Sequence, residues 1–103
     1  MTGQKPIPAH RMILVTFHLN GRQIDVDWWA AQFNQATDWY RYAPGCWFIW
    51  TSGTAESWTK FLRQHLTADD YVVAVEITTF YGILPKGAWE WLRKYIALTV
   101  GTG

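Results

Sequence analysis

Three groups of residues in this chain have the types and spacing to do chemistry. His18 lies in the run "VTFHLNG", at the mouth of what reads as a strand. An imidazole titrating near neutrality suits general-base work, and it ligates Zn²⁺ or Ni²⁺ far better than Mg²⁺. Glu76, in "YVVAVEIT", shares the outward parity of its run with His18 and is the candidate carboxylate partner. His18 and Glu76 are therefore the candidate catalytic pair. Arg41 sits between Trp39, Tyr40 and Tyr42. An arginine beside aromatics serves single-stranded nucleic acid by charge plus stacking, which makes Arg41, Trp39 and Tyr40 the candidate nucleic-acid contacts. The ordinary alternatives are a solvated strand-end histidine, a half-exposed strand glutamate, and an arginine whose stem packs on aromatics while its head stays in water.

The other reactive residues offer less. Cys46 lies in a turn with no local activator and reads as inert. His10, His65 and Cys46 lack metal-ligand spacing, and His65 falls on an apolar stripe as a core-edge residue. Lys60 and Arg63 read as a solvated helix face. No phosphate loop, nucleophile elbow or zinc motif is present.

Composition narrows the class. A chain of 103 residues is one domain with one core. Its formal charge of +1 supplies no net field for nucleic acid and excludes a strongly basic binder. Eight tryptophans exceed what one small core needs, so aromatic surface is expected at an interface. A single cysteine fits a reducing, cytoplasmic setting. No apolar run approaches the ~20 residues needed to span a bilayer, and "MTGQKPIPAHR" lacks the apolar centre of a signal peptide.

The elements that must position these residues follow from periodicity. Residues 1–11 read as a loose arm, with Met12 as an alternative start. "MILVTFHL" (12–19) is a strand, with Ile13, Val15, Phe17 and Leu19 on one face and Leu14, Thr16 and His18 on the other. "DWWAAQFNQA" (27–36) is a short helix capped by Asp27. "WYRY" (39–42) and "CWFIWT" (46–51) form a hairpin about Pro44-Gly45. "TAESWTKFLRQHL" (54–66), capped by Thr54, is the clearest helix. In the strand 71–78 the odd positions Tyr71, Val73, Val75 and Ile77 are wholly apolar, so the mixed even positions are expected to face outward. "PKGAWEWLRKYIA" (85–97) is a last helix with Ala88, Trp91, Leu92 and Tyr95 on one face. Arg93 and Lys94 near its end suit the helix dipole, and residues 98–103 are a tail.

The order β-α-β-β-α-β-α predicts an α+β, ferredoxin-like domain over residues 12–97: two helices on one face of a four-stranded antiparallel sheet, with an added C-terminal helix. The other face is then open and carries Leu14, Thr16, His18, Val72, Ala74 and Glu76. Bare apolar faces are usually covered by a partner, most commonly a second copy, so a homodimer through the open face or an edge is expected.

Three stretches together resemble a small bacterial family labelled SinR-like, unrelated to the helix-turn-helix regulator of similar name: "ILVTFHLN", "WYRYAPGCWFI" and "YVVAVEIT…YGILPKGAWEWL". The resemblance covers roughly residues 12–96, and "LPKGAWEW" is its most specific part. That family is similar in fold to CRISPR-associated small nucleases and virulence-associated toxin ribonucleases. The resemblance implies a homodimer whose divalent metal lies near the two-fold axis, bound by an Asp ending the first strand of each subunit. His18 stands at that Asp position, Arg41 where the hairpin pattern has His, and Gly45 where it has Ser. Each departure removes an oxygen ligand, an acid/base group or a hydroxyl.

The expected function is therefore a homodimeric interaction module of a nuclease-related family, catalytically degenerate and open to RNA, DNA or a protein partner on its aromatic face. It needs no cofactor. The alternative is a metal-dependent endonuclease rebuilt around His18. A third reading, an RNA-recognition module, shares the element order and has aromatics in "GCWFIW", but lacks the basic-Gly-aromatic lead-in.

Overall fold

Strand β1 (Arg11–His18) alternates buried and less buried residues, and that alternation organises the domain. A computed structural model describes residues 9–99. The elements after β1 are α1 (Val26–Phe33), β2 (Asp38–Ala43), β3 (Cys46–Thr51), α2 (Ala55–Arg63), β4 (Tyr71–Ile77) and α3 (Lys86–Thr99). The sheet order is β2-β3-β1-β4, and every pairing is antiparallel. This small α+β domain, with a four-stranded antiparallel sheet and three helices among the described residues, is consistent with a ferredoxin-like fold.

Local chemistry sets the helix starts. Asp25, not the expected Asp27, caps α1: its carboxylate accepts the Trp28 N–H at 3.1 Å. Thr54 and Ser57 form a reciprocal capping box on α2, with bonds of 2.9 and 3.0 Å. Helix α3 runs on to Thr99, so Arg93 and Lys94 sit inside it rather than at its end. Of the expected arm, residues 1–8 lie outside the described residues. His10 is docked: its ring stacks on Trp50 at 5.5 Å and its Nε2 lies 2.7 Å from the Thr37 hydroxyl. Arg11 opens β1, and Met12 is buried inside it. Of the expected tail, residues 100–103 lie outside the described residues.

One core lies between the sheet and α1 with α2. Ile13, Val15, Phe17, Trp47 and Ile49 from the strands meet Trp29, Phe33, Trp58 and Leu62 from the helices. Six of these nine are fully buried. At ~1.5–3 kcal/mol for each large apolar side chain, this layer supplies most of the burial free energy.

The second face of the sheet is not open, which corrects the expectation. Helix α3 lies against it, placing Trp91 and Leu92 on Met12, Phe48 and Trp50. Tyr40, Tyr42 and Tyr95 flank this second core. Gly87 permits the approach: a Cβ there would stand 2.7 Å from the Tyr40 hydroxyl. Two hydrogen bonds to Asp38 tie the helix down, from the Trp91 indole N–H at 3.1 Å and from the Tyr95 hydroxyl. The face Ala88, Trp91, Leu92 and Tyr95 is thus the packing face, as its spacing indicates. The cover reaches β2, β3 and part of β1, and on β4 only Ile77, its last residue, packs against this cluster.

Candidate functional site

The register between β1 and β4 decides what the sheet presents. His18 stands opposite Tyr71, Thr16 opposite Val73, Leu14 opposite Val75, and Ile13 opposite Glu76. Directly opposed residues share a face. Val72, Ala74 and Glu76 therefore point to the α1/α2 side, where Val72 and Ala74 pack on the core. Tyr71, Val73 and Val75 point the other way. This inverts the expectation from the sequence, which turns the apolar odd positions inward.

The candidate catalytic pair is not brought together. His18 is exposed at the end of β1, with its ring 6.4 Å from that of Tyr71. Glu76 lies on the opposite face, five register steps away, or about 17 Å along the strand at ~3.3 Å per residue. A hard divalent cation wants several oxygen ligands at one point. Among the described residues no group of three His, Cys, Asp or Glu side chains is placed to hold a metal ion. His18 and Glu76 do not assemble a divalent-cation site within one chain.

The candidate nucleic-acid contacts are also divided. Arg41 opposes Trp47 and so shares the α1/α2 side with Trp39, whereas Tyr40 opposes Phe48 and is half-buried beneath α3. Trp39 is itself half-buried, edge-on to Trp47 at 5.0 Å, with its indole N–H bonded to Asn34 Oδ1 at 2.8 Å. The two aromatic side chains form no common stacking platform beside the guanidinium. The parity of a strand splits any run of adjacent aromatics in this way.

Cys46 is half-buried at the start of β3. Burial first, and then the neighbouring Cys46 thiol, raise the Tyr42 phenol above its ordinary pKa. His65 lies just past α2, edge-on to Trp28 at 4.9 Å and Phe61 at 5.8 Å, which is the core-edge role expected of it. Lys60 pairs with Glu56 at 2.8 Å on the exposed face of α2.

Two carboxylates missed in the sequence hold the molecule together. Asp38 anchors α3, as described above. Asp70 accepts N–H groups from Thr67 and Asn20, both at 2.8 Å, and pairs with Arg22. The Thr67 and Asn20 bonds, aided by Arg22, hold its pKa down at about 2. In the sequence Asp69-Asp70 signals only a break.

What stays uncovered is apolar. Tyr71, Val73 and Val75 on the outer face of β4 are 70, 52 and 48% exposed, and Tyr81 and Ile83 in the β4–α3 connection are fully exposed. A groove of about 350 Å³ runs beside them, between Leu14, Val75 and Ile77 of the sheet and Phe80, Leu84 and Trp89. Alternation within β4 was the available signal for this surface. Its polarity was unreadable, because β1 and β4 are joined by no hairpin that would fix their register.

Comparison of the chain with family models, curated proteins and solved structures gives no match. Among the described residues no helix is long and apolar enough to cross a membrane.

Proposed function

We propose that this chain is a homodimeric interaction module without a catalytic centre of its own, related by resemblance to the SinR-like proteins. One observation carries the reading: the exposed apolar strip formed by Tyr71, Val73, Val75, Tyr81 and Ile83. Isolated surface hydrophobes are normal, but a contiguous strip with a groove beside it marks an interaction site. Tyr and β-branched residues give such a strip rigid area at low entropic cost. The near-zero formal charge fits an apolar partner surface better than a polyanion. The separation of His18 from Glu76 favours the module over the endonuclease.

Sedimentation velocity at micromolar concentration tests the assembly. Incubation with labelled single-stranded RNA and duplex DNA, in EDTA, Mg²⁺, Mn²⁺ or Zn²⁺, tests the chemistry. The expected result is a dimer and no metal-dependent cleavage. A strict monomer overturns the dimer. Cleavage that needs metal and disappears in His18→Ala establishes the endonuclease instead.

A further inference from the structure

The sheet has two edges, and they differ. At one edge, β2 is broken by a register irregularity between Arg41 and Ala43, a device that discourages pairing with another strand. At the other, β4 is seven residues long, regularly paired to β1, and free of proline, lysine and bulge. Its outward N–H and C=O groups are an open template for another strand. We infer that β4 is the seam of the dimer: it pairs antiparallel with the partner's β4 about a two-fold axis at Ala74, joining two four-stranded sheets into one of eight. This rests on the homodimer reading above.

Symmetry and charge select the register. A two-fold axis perpendicular to the sheet keeps the α1/α2 layers on one side, so each residue must oppose one of the same parity. A centre at Val73 carries Ile77 past the start of the partner strand. A centre at Val75 carries Tyr71 past the end of the partner strand. A centre at Ala74 uses all seven residues and sets Val72 against the partner subunit's Glu76. Arg63 of α2 lines the same surface hollow as Tyr71 and Val72. Among the described residues neither Arg63 nor Glu76 has an ion pair within the chain. In this register each Glu76 meets the Arg63 of the other subunit, twice by symmetry. On the outer face Val73 packs beside the partner subunit's Val75, so the strip of one copy continues into that of the other.

The test is sedimentation velocity on the full chain and four variants, with circular dichroism to confirm that each is folded. Val73→Lys places a charge on the seam, and Arg63→Glu sets two carboxylates together. Glu76→Arg sets two cations together, and the double variant Arg63→Glu/Glu76→Arg restores opposite charges. The three single variants should weaken dimerisation on the order of tenfold, with the double variant recovering most of it. All three are exposed positions, so folding should survive. A wild-type dimer that all four variants leave unchanged overturns the seam while the homodimer stands. A wild-type monomer overturns both. Amide exchange gives a second readout: outward β4 amides should gain protection as protein concentration rises, and concentration-independent exchange in a dimer overturns the seam.

Discussion

Ile13 of β1 stands directly opposite Glu76 of β4, and Ile13 is fully buried against the α1/α2 layer. That pair settles the facing of all of β4. Because Ile13 points inward, Glu76, Ala74 and Val72 point to the same side. Glu76 escapes burial only because it lies near the end of the strand, where it is exposed. The more apolar side of β4 is left outside. A chain that spends Tyr71, Val73 and Val75 on an uncovered edge has placed hydrophobic area where only association can bury it.

His18 and Glu76 should therefore behave as independent residues. They lie on opposite faces about 17 Å apart, and substitutions separated by more than ~7–10 Å without shared partners add within ~0.3–0.5 kcal/mol. A double-mutant cycle of His18→Ala and Glu76→Gln, read by urea denaturation, should close within that margin. A coupling well above it would mean that the two side chains meet.

Asp38 fastens α3 to the sheet, and removing its carboxylate should loosen that layer. Asp38→Ala removes the carboxylate that accepts from the Trp91 N–H and the Tyr95 hydroxyl. The expected loss is ~1–3 kcal/mol, measured by denaturant midpoint. The same variant has a spectroscopic signature. Burial, with the bond to Asp38 and its charge, raises the Tyr95 pKa from 10.0 to about 12. A raised phenol favours the folded state fully below the unfolded value, and that support is lost as pH rises through about 12. In Asp38→Ala one tyrosine should move to earlier ionisation in an alkaline ultraviolet titration. An unmoved titration would mean that Asp38 does not govern Tyr95.

The legible parts of this molecule are those fixed by local chemistry. The Thr54 cap, the strand Cys46–Thr51 with its Pro44-Gly45 turn, and the face Ala88-Trp91-Leu92-Tyr95 follow from residues within a few positions of one another. What was illegible is set at long range. The register of β1 on β4 joins residues more than fifty positions apart, and the docking of α3 depends on Asp38 meeting Trp91 and Tyr95 at similar separation. Apolar parity alone placed Tyr71, Val73 and Val75 in the core, since a core and an interface ask for the same residue types. The adjacency of Trp39, Tyr40 and Arg41 likewise suggested a single platform that strand geometry divides.

Asp70 should give the chain a specific acid sensitivity. Its carboxylate is held at about 2 by the Thr67 and Asn20 N–H groups with help from Arg22. A depressed pKa stabilises the folded state above the unfolded value near 4, and that contribution is lost as pH falls through about 2. Asp70→Asn should lower stability at neutral pH and flatten the decline between pH ~4 and ~2. Urea midpoints measured across that window check it. An unchanged slope would assign the acid transition to other carboxylates.

Phe33 is fully buried, stacked on Trp47 at 4.5 Å and Trp58 at 5.8 Å. Two large rigid rings cannot collapse into the space it would vacate, so Phe33→Ala should cost the full ~3–5 kcal/mol of a large core truncation. For a domain this small, ~1 kcal/mol moves Tm by roughly 4–8 °C, so the variant should melt more than 12 °C below the wild type. Phe33→Leu, which retains much of the volume, should lose less than half as much. Equal losses in the two variants would show that α1 is not seated by this stack.

Gly45 lies too close to β1 to carry a side chain. A Cβ at Gly45 would lie 2.5 Å from the Phe17 carbonyl oxygen, a backbone atom that cannot rotate away. The same turn is held on its other side, where the Phe17 N–H donates to the Gly45 carbonyl at 3.0 Å. Gly45→Ser should therefore destabilise the hairpin against β1 by ~1–3 kcal/mol, the usual cost of overpacking. Pro44→Ala, one residue away on the exposed tip of the turn, should cost far less. Denaturant midpoints of the two variants decide the matter. If Gly45→Ser is as stable as the wild type, the hairpin can withdraw from β1, and a hydroxyl at this position is structurally permitted.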